Sequence, residues 1–216
     1  MEKKFFQRAS LRLLTLPVYF GVFLVRLLRY EPVLSDFEKC TAFIRSVDKE
    51  CELISDSLLR SLFAAEDHRN SLHFGVDPIA IVRALIIRVL KRKKQGASTI
   101  EQQFVRTVTA RYERTPRRKV REQVLATMLA QEFSKKDIAV SYLACAFYGS
   151  GLIGFDGIKK IRGDEEGGVD EVIVAYLRYP KPSLPSVRHF SKHRERVDHI
   201  RKILSGEVRL MWGDCV

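Results

Sequence analysis

The hydrophobic pattern along the chain predicts a succession of amphipathic helices, because apolar residues recur at helical spacing and strand-like alternation is almost absent. One helix begins near Ser55 or Ser57, and its apolar face carries Leu59, Leu62 and Phe63. The same stripe continues to Glu66. Burying a carboxylate is costly unless it is paired or its pKa rises, and those are the conditions of a general acid or base. The pattern alone favours the alternative, a helix that frays before Glu66 and leaves this carboxylate in solvent.

Residues 77–96 contain a segment that is apolar over most of its helical circumference and is followed by four consecutive basic residues, Lys91 to Lys94. Two interpretations stay open. The segment is either a buried helix with a solvated basic end, or a helix that dips into a bilayer while its basic end contacts lipid phosphates.

Three further helices are predicted. One runs from Ser98 to about Arg111, with Ser98 and Glu101 as a capping box. The next runs from about Arg117 to Phe133, and on it Glu122 could be only a surface partner of Arg118, one turn earlier. The last opens at Ser134 and ends at Gly149 as a C-cap. Together these patterns indicate a mainly α protein.

The N-terminal region carries an uncharged apolar run at residues 13–25, which extends to 18 residues when counted from Leu11 to Leu28. The basic residues before it are Lys3, Lys4, Arg8 and Arg12. We expect a single signal-anchor helix with a cytoplasmic N-terminus. The chain would then divide into residues 1–30, the anchor, and residues 31–216, one domain outside the cytoplasm. A cleaved signal peptide and an interfacial helix are the alternatives.

Composition narrows the class of partner. The formal net charge of +12 implies an anionic partner, and nucleic acid, anionic lipid and a pyrophosphate substrate all qualify. The cysteines lack the spacing of a zinc site, although Cys40 and Cys51 are close enough in sequence for a disulfide outside the cytoplasm.

Four ordered motifs between residues 66 and 144 resemble the family 51 glycosyltransferases, the polymerase domain of class A penicillin-binding proteins and their monofunctional relatives. The motifs read EDHRNSLHFG, GASTIEQQ, RKVRE and SKKDIAVSYLA. The order and spacing make the set specific, although R-K-x-x-E alone would be weak. Two positions depart from the family pattern: Asn70 stands where Phe is preferred, and Ala144 replaces the usual Asn.

The resemblance implies a lysozyme-like fold with a small membrane-facing lobe, and polymerisation of lipid II into a β-1,4-linked glycan with release of undecaprenyl pyrophosphate. It implies catalytic roles for Glu66, as general base, and for Glu122. The substrate-binding residues would be Asp67, His73, Ser98, Thr99, Gln102, Gln103, Arg118, Lys119 and Lys135. No cofactor is expected to be required and no dedicated metal site is expected. A divalent cation, Mg²⁺ or Mn²⁺, could lie at the pyrophosphate, and Glu122 would either orient the basic residues there or help to hold this cation.

The expected partners are lipid II, the growing glycan strand and membrane lipids, with other cell-wall synthesis proteins possible and no nucleic acid. The expected location is the bacterial cytoplasmic membrane, with one span and an extracytoplasmic catalytic domain. Two alternatives remain. One is a lysozyme-like lytic enzyme, which would also use a glutamate on a helix. The other is an inactive membrane-bound scaffold, for which Asn70 and Ala144 are the only support.

Overall fold

The computed structural model describes residues 2–47, 52–92, 96–164, 169–184 and 186–208. Over these ranges the chain is mainly helical, as predicted. The elements in chain order are α1 (Glu2–Leu14), α2 (Leu16–Leu27), α3 (Glu31–Ser46), α4 (Asp56–Glu66), α5 (Pro78–Lys91), α6 (Ile100–Val108), α7 (Pro116–Glu132), α8 (Lys135–Cys145), β1 (Phe147–Gly149), β2 (Leu152–Ile153), α9 (Gly154–Asp164), α10 (Val169–Arg178) and α11 (Val187–Leu204).

The chain forms two compact units. The first unit comprises Met1–Ser46 and Arg69–Ile138, and the second comprises Val47–His68 and Ala139–Val216. In the first unit α7 packs against α2, α3 and α6. Its core is built from apolar side chains at helical spacing on these elements, among them Ile44, Phe104, Leu125, Met128 and Leu129, all at most 1% exposed.

In the second unit α10 packs against α4 and α11, and a two-stranded antiparallel hairpin of β1 and β2 contacts α9. The predicted continuation of α8 to Gly149 is therefore wrong. The helix ends at Cys145, and Gly149 ends strand β1 with φ +151°. A side chain at Gly149 would place its Cβ 2.4 Å from the carbonyl oxygen of Lys181, so this glycine permits a close backbone approach.

The predicted single N-terminal helix is two helices, α1 and α2, bent by 55° between Leu14 and Leu16. Two local features explain the break. Pro17 lies in the first turn of α2 and has no backbone N–H to donate, and the hydroxyl of Thr15 donates to the carbonyl oxygens of Leu11 and Arg12. Among the described residues no single helix has the length and apolar character of a membrane span, whereas this bent pair meets both criteria together.

Segment α5 is a helix, but it is not a buried one. Its N-cap is Asp77, whose side chain accepts a hydrogen bond from the backbone N–H of Ala80. Ala80 is the only residue of α5 that is fully buried, while Val89 and Leu90 are 76% and 75% exposed. The interpretation as a buried core helix is therefore wrong, because α5 presents an exposed apolar surface. Lys93 and Lys94, the last two of the four basic residues that follow this segment, lie outside the described residues, as does Cys51 of the suggested disulfide.

Candidate active site

Glu122 lies in the first unit at the centre of a group of three cations, which we call the basic cluster: Arg106, Arg118 and Lys119. Thr115 caps α7, because its hydroxyl accepts a hydrogen bond from the backbone N–H of Arg118. The helical spacing from this cap directs Arg118, Lys119 and Glu122 to one face. The interpretation of Glu122 as part of a surface pair is wrong, because the residue is 2% exposed.

All three cations bind the carboxylate of Glu122. The Nε of Arg106 donates to Oε1 at 2.8 Å and its Nη2 to Oε2 at 3.2 Å. Lys119 donates to Oε2 at 3.3 Å, and Arg118 donates to Oε1. Three positive charges surround one negative charge, so the cluster carries a net charge that favours an anion.

The pKa values follow from this arrangement. Burial alone would raise the pKa of Glu122, but the hydrogen bond from Arg106 and the charges of the cluster outweigh burial and lower it. The pKa of Lys119 is lowered because burial disfavours its charged form, against the opposing attraction of Glu122.

Two polar residues of the second motif, Ser98 and Gln102, extend the cluster. The Nζ of Lys119 donates to the hydroxyl oxygen of Ser98 at 2.9 Å and also to the side-chain oxygen of Gln102. Arg106 donates to Ser98 at 3.3 Å. Sequence reasoning assigned no role to Arg106, although it lies one helical turn after Gln102 and therefore on the same face of α6.

Thr99, not Ser98, is the N-cap of α6, so the predicted Ser98–Glu101 capping box is wrong. The Thr99 hydroxyl accepts from the backbone N–H of Gln102 and donates to the carbonyl oxygen of Gly75 at 2.8 Å. The side chain of Gln102 donates to the same oxygen at 3.3 Å. The hydroxyl of Ser98 is instead engaged by the basic cluster, and Gln103 is half-buried on α6.

A second group in the first unit joins His73, Glu101 and Lys135. The Nζ of Lys135 lies 3.4 Å from the Nδ1 of His73 and contacts the carboxylate of Glu101. Glu101 and His73 are 1% and 2% exposed. Glu101 was predicted only as a capping residue, whereas its buried carboxylate holds the lysine of the fourth motif in place.

The second unit carries Glu66 and Asp67. Glu66 is the last residue of α4, whose N-cap is Ser55 as predicted, so the helix does not fray before it. The Nη2 of Arg196, on α11, donates to Oε1 of Glu66 at 3.0 Å and to the carbonyl oxygen of Ala65 at 2.7 Å. The Glu66 side chain is 15% exposed, and Asp67 is 5% exposed.

The prediction that Glu66 is left in solvent is therefore wrong. Arg196 was not identified from the sequence, because 130 residues separate it from Glu66 and helical periodicity reports only local neighbours. Arg196 lies on α11, which spans Val187–Leu204.

A transglycosylase family model matches residues 40–161, more than half of the chain. The chain belongs to the transglycosylase family. The matched residues include the basic cluster, the His73 group and Glu66, whereas Arg196 lies beyond them.

Three curated proteins are similar to this chain in sequence. A biosynthetic peptidoglycan transglycosylase of Methylobacillus flagellatus is 32% identical over 170 residues, which are 76% of this chain and 72% of that protein. Penicillin-binding protein 1A of Rickettsia felis is 38% identical over 169 residues, 74% of this chain but 21% of that protein. Penicillin-binding protein 1A of Aquifex aeolicus is 38% identical over 120 residues, 55% of this chain and 16% of that protein. The chain thus spans about a fifth or less of these two larger relatives.

Proposed function

We propose that this chain is a peptidoglycan glycosyltransferase that polymerises lipid II into β-1,4-linked glycan strands and releases undecaprenyl pyrophosphate. The observation that carries the proposal is the basic cluster around buried Glu122, in a chain of the transglycosylase family. The departing pyrophosphate carries several negative charges, and cations fixed in advance stabilise such a leaving group. Arg118, Lys119 and Lys135 are assigned to binding it, and Arg106 joins them.

Glu66 is assigned the role of general base. It takes the proton from the 4-hydroxyl of the incoming sugar while that oxygen attacks the anomeric carbon of the growing strand. The bond from this carbon to the pyrophosphate oxygen breaks, its electron pair leaves with the pyrophosphate, and the configuration inverts to β. The hydrogen bond from Arg196 to Oε1 supports this role, because it orients the carboxylate.

The remaining motif residues are assigned to substrate binding. Ser98 and Gln102 contribute polar groups beside the basic cluster. Thr99 starts α6 with its backbone donors, a position that favours phosphate. Asp67, His73 and Gln103 are proposed to contact the sugars or the donor strand.

Glu122 does not fit the role of a metal ligand. Both of its oxygens accept hydrogen bonds from the basic cluster, and three positive charges repel a divalent cation. We therefore assign Glu122 to orienting the cluster. Mg²⁺ or Mn²⁺, where it acts, is proposed to accompany the pyrophosphate oxygens of the substrate.

We propose a lysozyme-like fold and a location at the cytoplasmic membrane, with both units on its extracytoplasmic side. A hydrogen bond from α1 indicates whether the N-terminal helices span the membrane or lie along its surface. The guanidinium of Arg8 donates to the carbonyl oxygen of Ser71 at 2.9 Å, and Ser71 belongs to the first unit. A span with a cytoplasmic N-terminus would separate these two residues. The contact therefore supports the alternative that α1 and α2 lie in the membrane interface.

The test is to incubate the detergent-solubilised full chain with lipid II and to separate the products by length. We expect glycan strands longer than the disaccharide, cleavable by a muramidase. A lytic enzyme would instead shorten preformed glycan and leave lipid II unchanged, and a scaffold would change neither.

A further inference from the structure

A groove of about 990 Å³ lies on the first unit. It is lined by α1 and α2, by Phe74, and by the C-terminal part of α7 at Ala130 and Gln131. Its volume is at the upper end of the range of roughly 300–1,000 Å³ typical of ligand pockets. None of the residues assigned to the glycosyl transfer lines it.

One end of the groove is basic. Arg8 and Arg12 lie one turn apart on α1 and therefore on one face. The Nη2 and Nε of Arg8 donate to the carbonyl oxygen of Ser71 at 2.9 and 3.2 Å. The guanidinium of Arg12 lies 4.3 Å from the ring centroid of Phe74. These contacts fix both arginines at the groove while their remaining N–H groups stay available to an anion.

The rest of the groove is apolar and poorly covered. Leu13 and Leu16 line it, and they are 67% and 54% exposed. Leaving such side chains in water forgoes the free energy that covering them would provide. An occupant that satisfies both ends needs an anionic head and an apolar chain.

We propose that this groove binds an anionic phospholipid, with the phosphate on Arg8 and Arg12 and one acyl chain along Leu13 and Leu16. Two observations favour a lipid over a free phosphate or an acidic peptide. The apolar wall adds nothing to the binding of free phosphate. The groove is also lined by α1 and α2, and this bent pair of helices together has the length and apolar character of a membrane segment.

The probe is native mass spectrometry of the full chain in detergent, titrated with phosphatidylglycerol or with phosphatidylcholine of the same acyl chains. We expect one phosphatidylglycerol to be retained preferentially. Each basic residue near an anionic lipid contributes about fivefold to binding, so Arg8→Gln/Arg12→Gln should bind phosphatidylglycerol roughly 25-fold more weakly. The matched control is Arg45→Gln/Arg188→Gln, which removes two exposed arginines elsewhere and should bind as the wild type does.

Ala9→Phe tests the groove without changing charge. Ala9 lines the groove, so the larger side chain occupies the space of the lipid, and we expect it to weaken retention by tenfold or more. This variant also keeps the proposal testable if the double arginine variant does not fold. Any one of three results would overturn the proposal. They are equal retention of both lipids, undiminished lipid binding by Ala9→Phe, and full displacement of the lipid by glycerol phosphate at the same concentration.

Discussion

Glu66 and Glu122 are both carboxylates on helices, but their surroundings differ. Glu66 accepts a hydrogen bond from Arg196 and its side chain is 15% exposed. Glu122 is bound by three cations and its side chain is 3% exposed. A carboxylate enclosed by three cations has little capacity to take up a proton, whereas Glu66 forms an ion pair with Arg196 and is more exposed. The surroundings therefore favour Glu66 as the base and Glu122 as the residue that orients the basic cluster.

In the proposed mechanism Arg196 positions Glu66, so its replacement should lower turnover more than substrate binding. We expect Arg196→Gln to reduce the kcat for lipid II by about 10- to 100-fold with a small change in KM, because a base displaced by 1 Å loses its near-attack geometry. Arg196→Lys should recover part of the rate. Arg194→Gln, an exposed position on the same helix, is the control, and an unchanged kcat for Arg196→Gln would remove Arg196 from the mechanism.

The lowered pKa of Glu122 predicts that the stability of the fold depends on pH. Its pKa in the folded protein is lowered from the ordinary value of 4.5, so it stabilises the fold above that pH, and the contribution is lost as the pH falls through the folded pKa. Glu122→Gln should therefore be less stable than the wild type by roughly 1–3 kcal/mol at pH 7, with the difference narrowing below about pH 4.5. Thermal unfolding of the detergent-solubilised chain measures this. Glu38→Gln, an exposed position, should show no such narrowing, and a constant difference for Glu122→Gln would contradict the account.

At the scale of elements, helical periodicity predicted most of the structure. The cap at Ser55 and the extent of α7 follow from local pattern and capping chemistry. The hairpin at residues 147–153 was missed because strands of three and two residues are too short to show alternation. The start of α6 was misplaced because Ser98 and Thr99 are both good caps, and the choice depends on Gly75 and Lys119, which are remote in sequence.

Gly75 is a position where the packing of the chain against a helix depends on a missing side chain. Its φ is +86°, and a Cβ would lie 2.4 Å from the carbonyl oxygen of Ala126 on α7. We expect Gly75→Ala to destabilise the protein by roughly 2–5 kcal/mol, from backbone strain together with overpacking. Gly96→Ala is the matched control, because nothing in the described part of the chain lies within 4 Å of a Cβ there. Equal melting temperatures for the two variants would contradict the close approach of Gly75 to α7.

At the scale of the whole molecule, the exposed apolar surface of α5 predicts a membrane contact in addition to α1 and α2. Val89→Ser/Leu90→Ser in the full chain should lower partition from detergent into anionic vesicles by about tenfold or more, since two large apolar side chains lose their burial. Added salt should weaken binding further by screening Lys91 and Arg92. Leu184→Ser/Val187→Ser removes two similarly exposed apolar residues of the second unit and should partition as the wild type does. If the α5 variant partitions equally well, this contact is absent.

The proposed glycosyl transfer depends on one proton acceptor, and Glu66→Gln tests it most directly. The amide keeps the shape of the side chain and can still accept the hydrogen bond from Arg196, but it cannot take up a proton. We expect polymerisation of lipid II to fall by at least the ~10²-fold typical of general-base loss, while lipid II still binds. Glu122→Gln should instead lower donor affinity and turnover together. If Glu66→Gln polymerises lipid II at nearly the wild-type rate, Glu66 is not the base and the proposed mechanism is wrong.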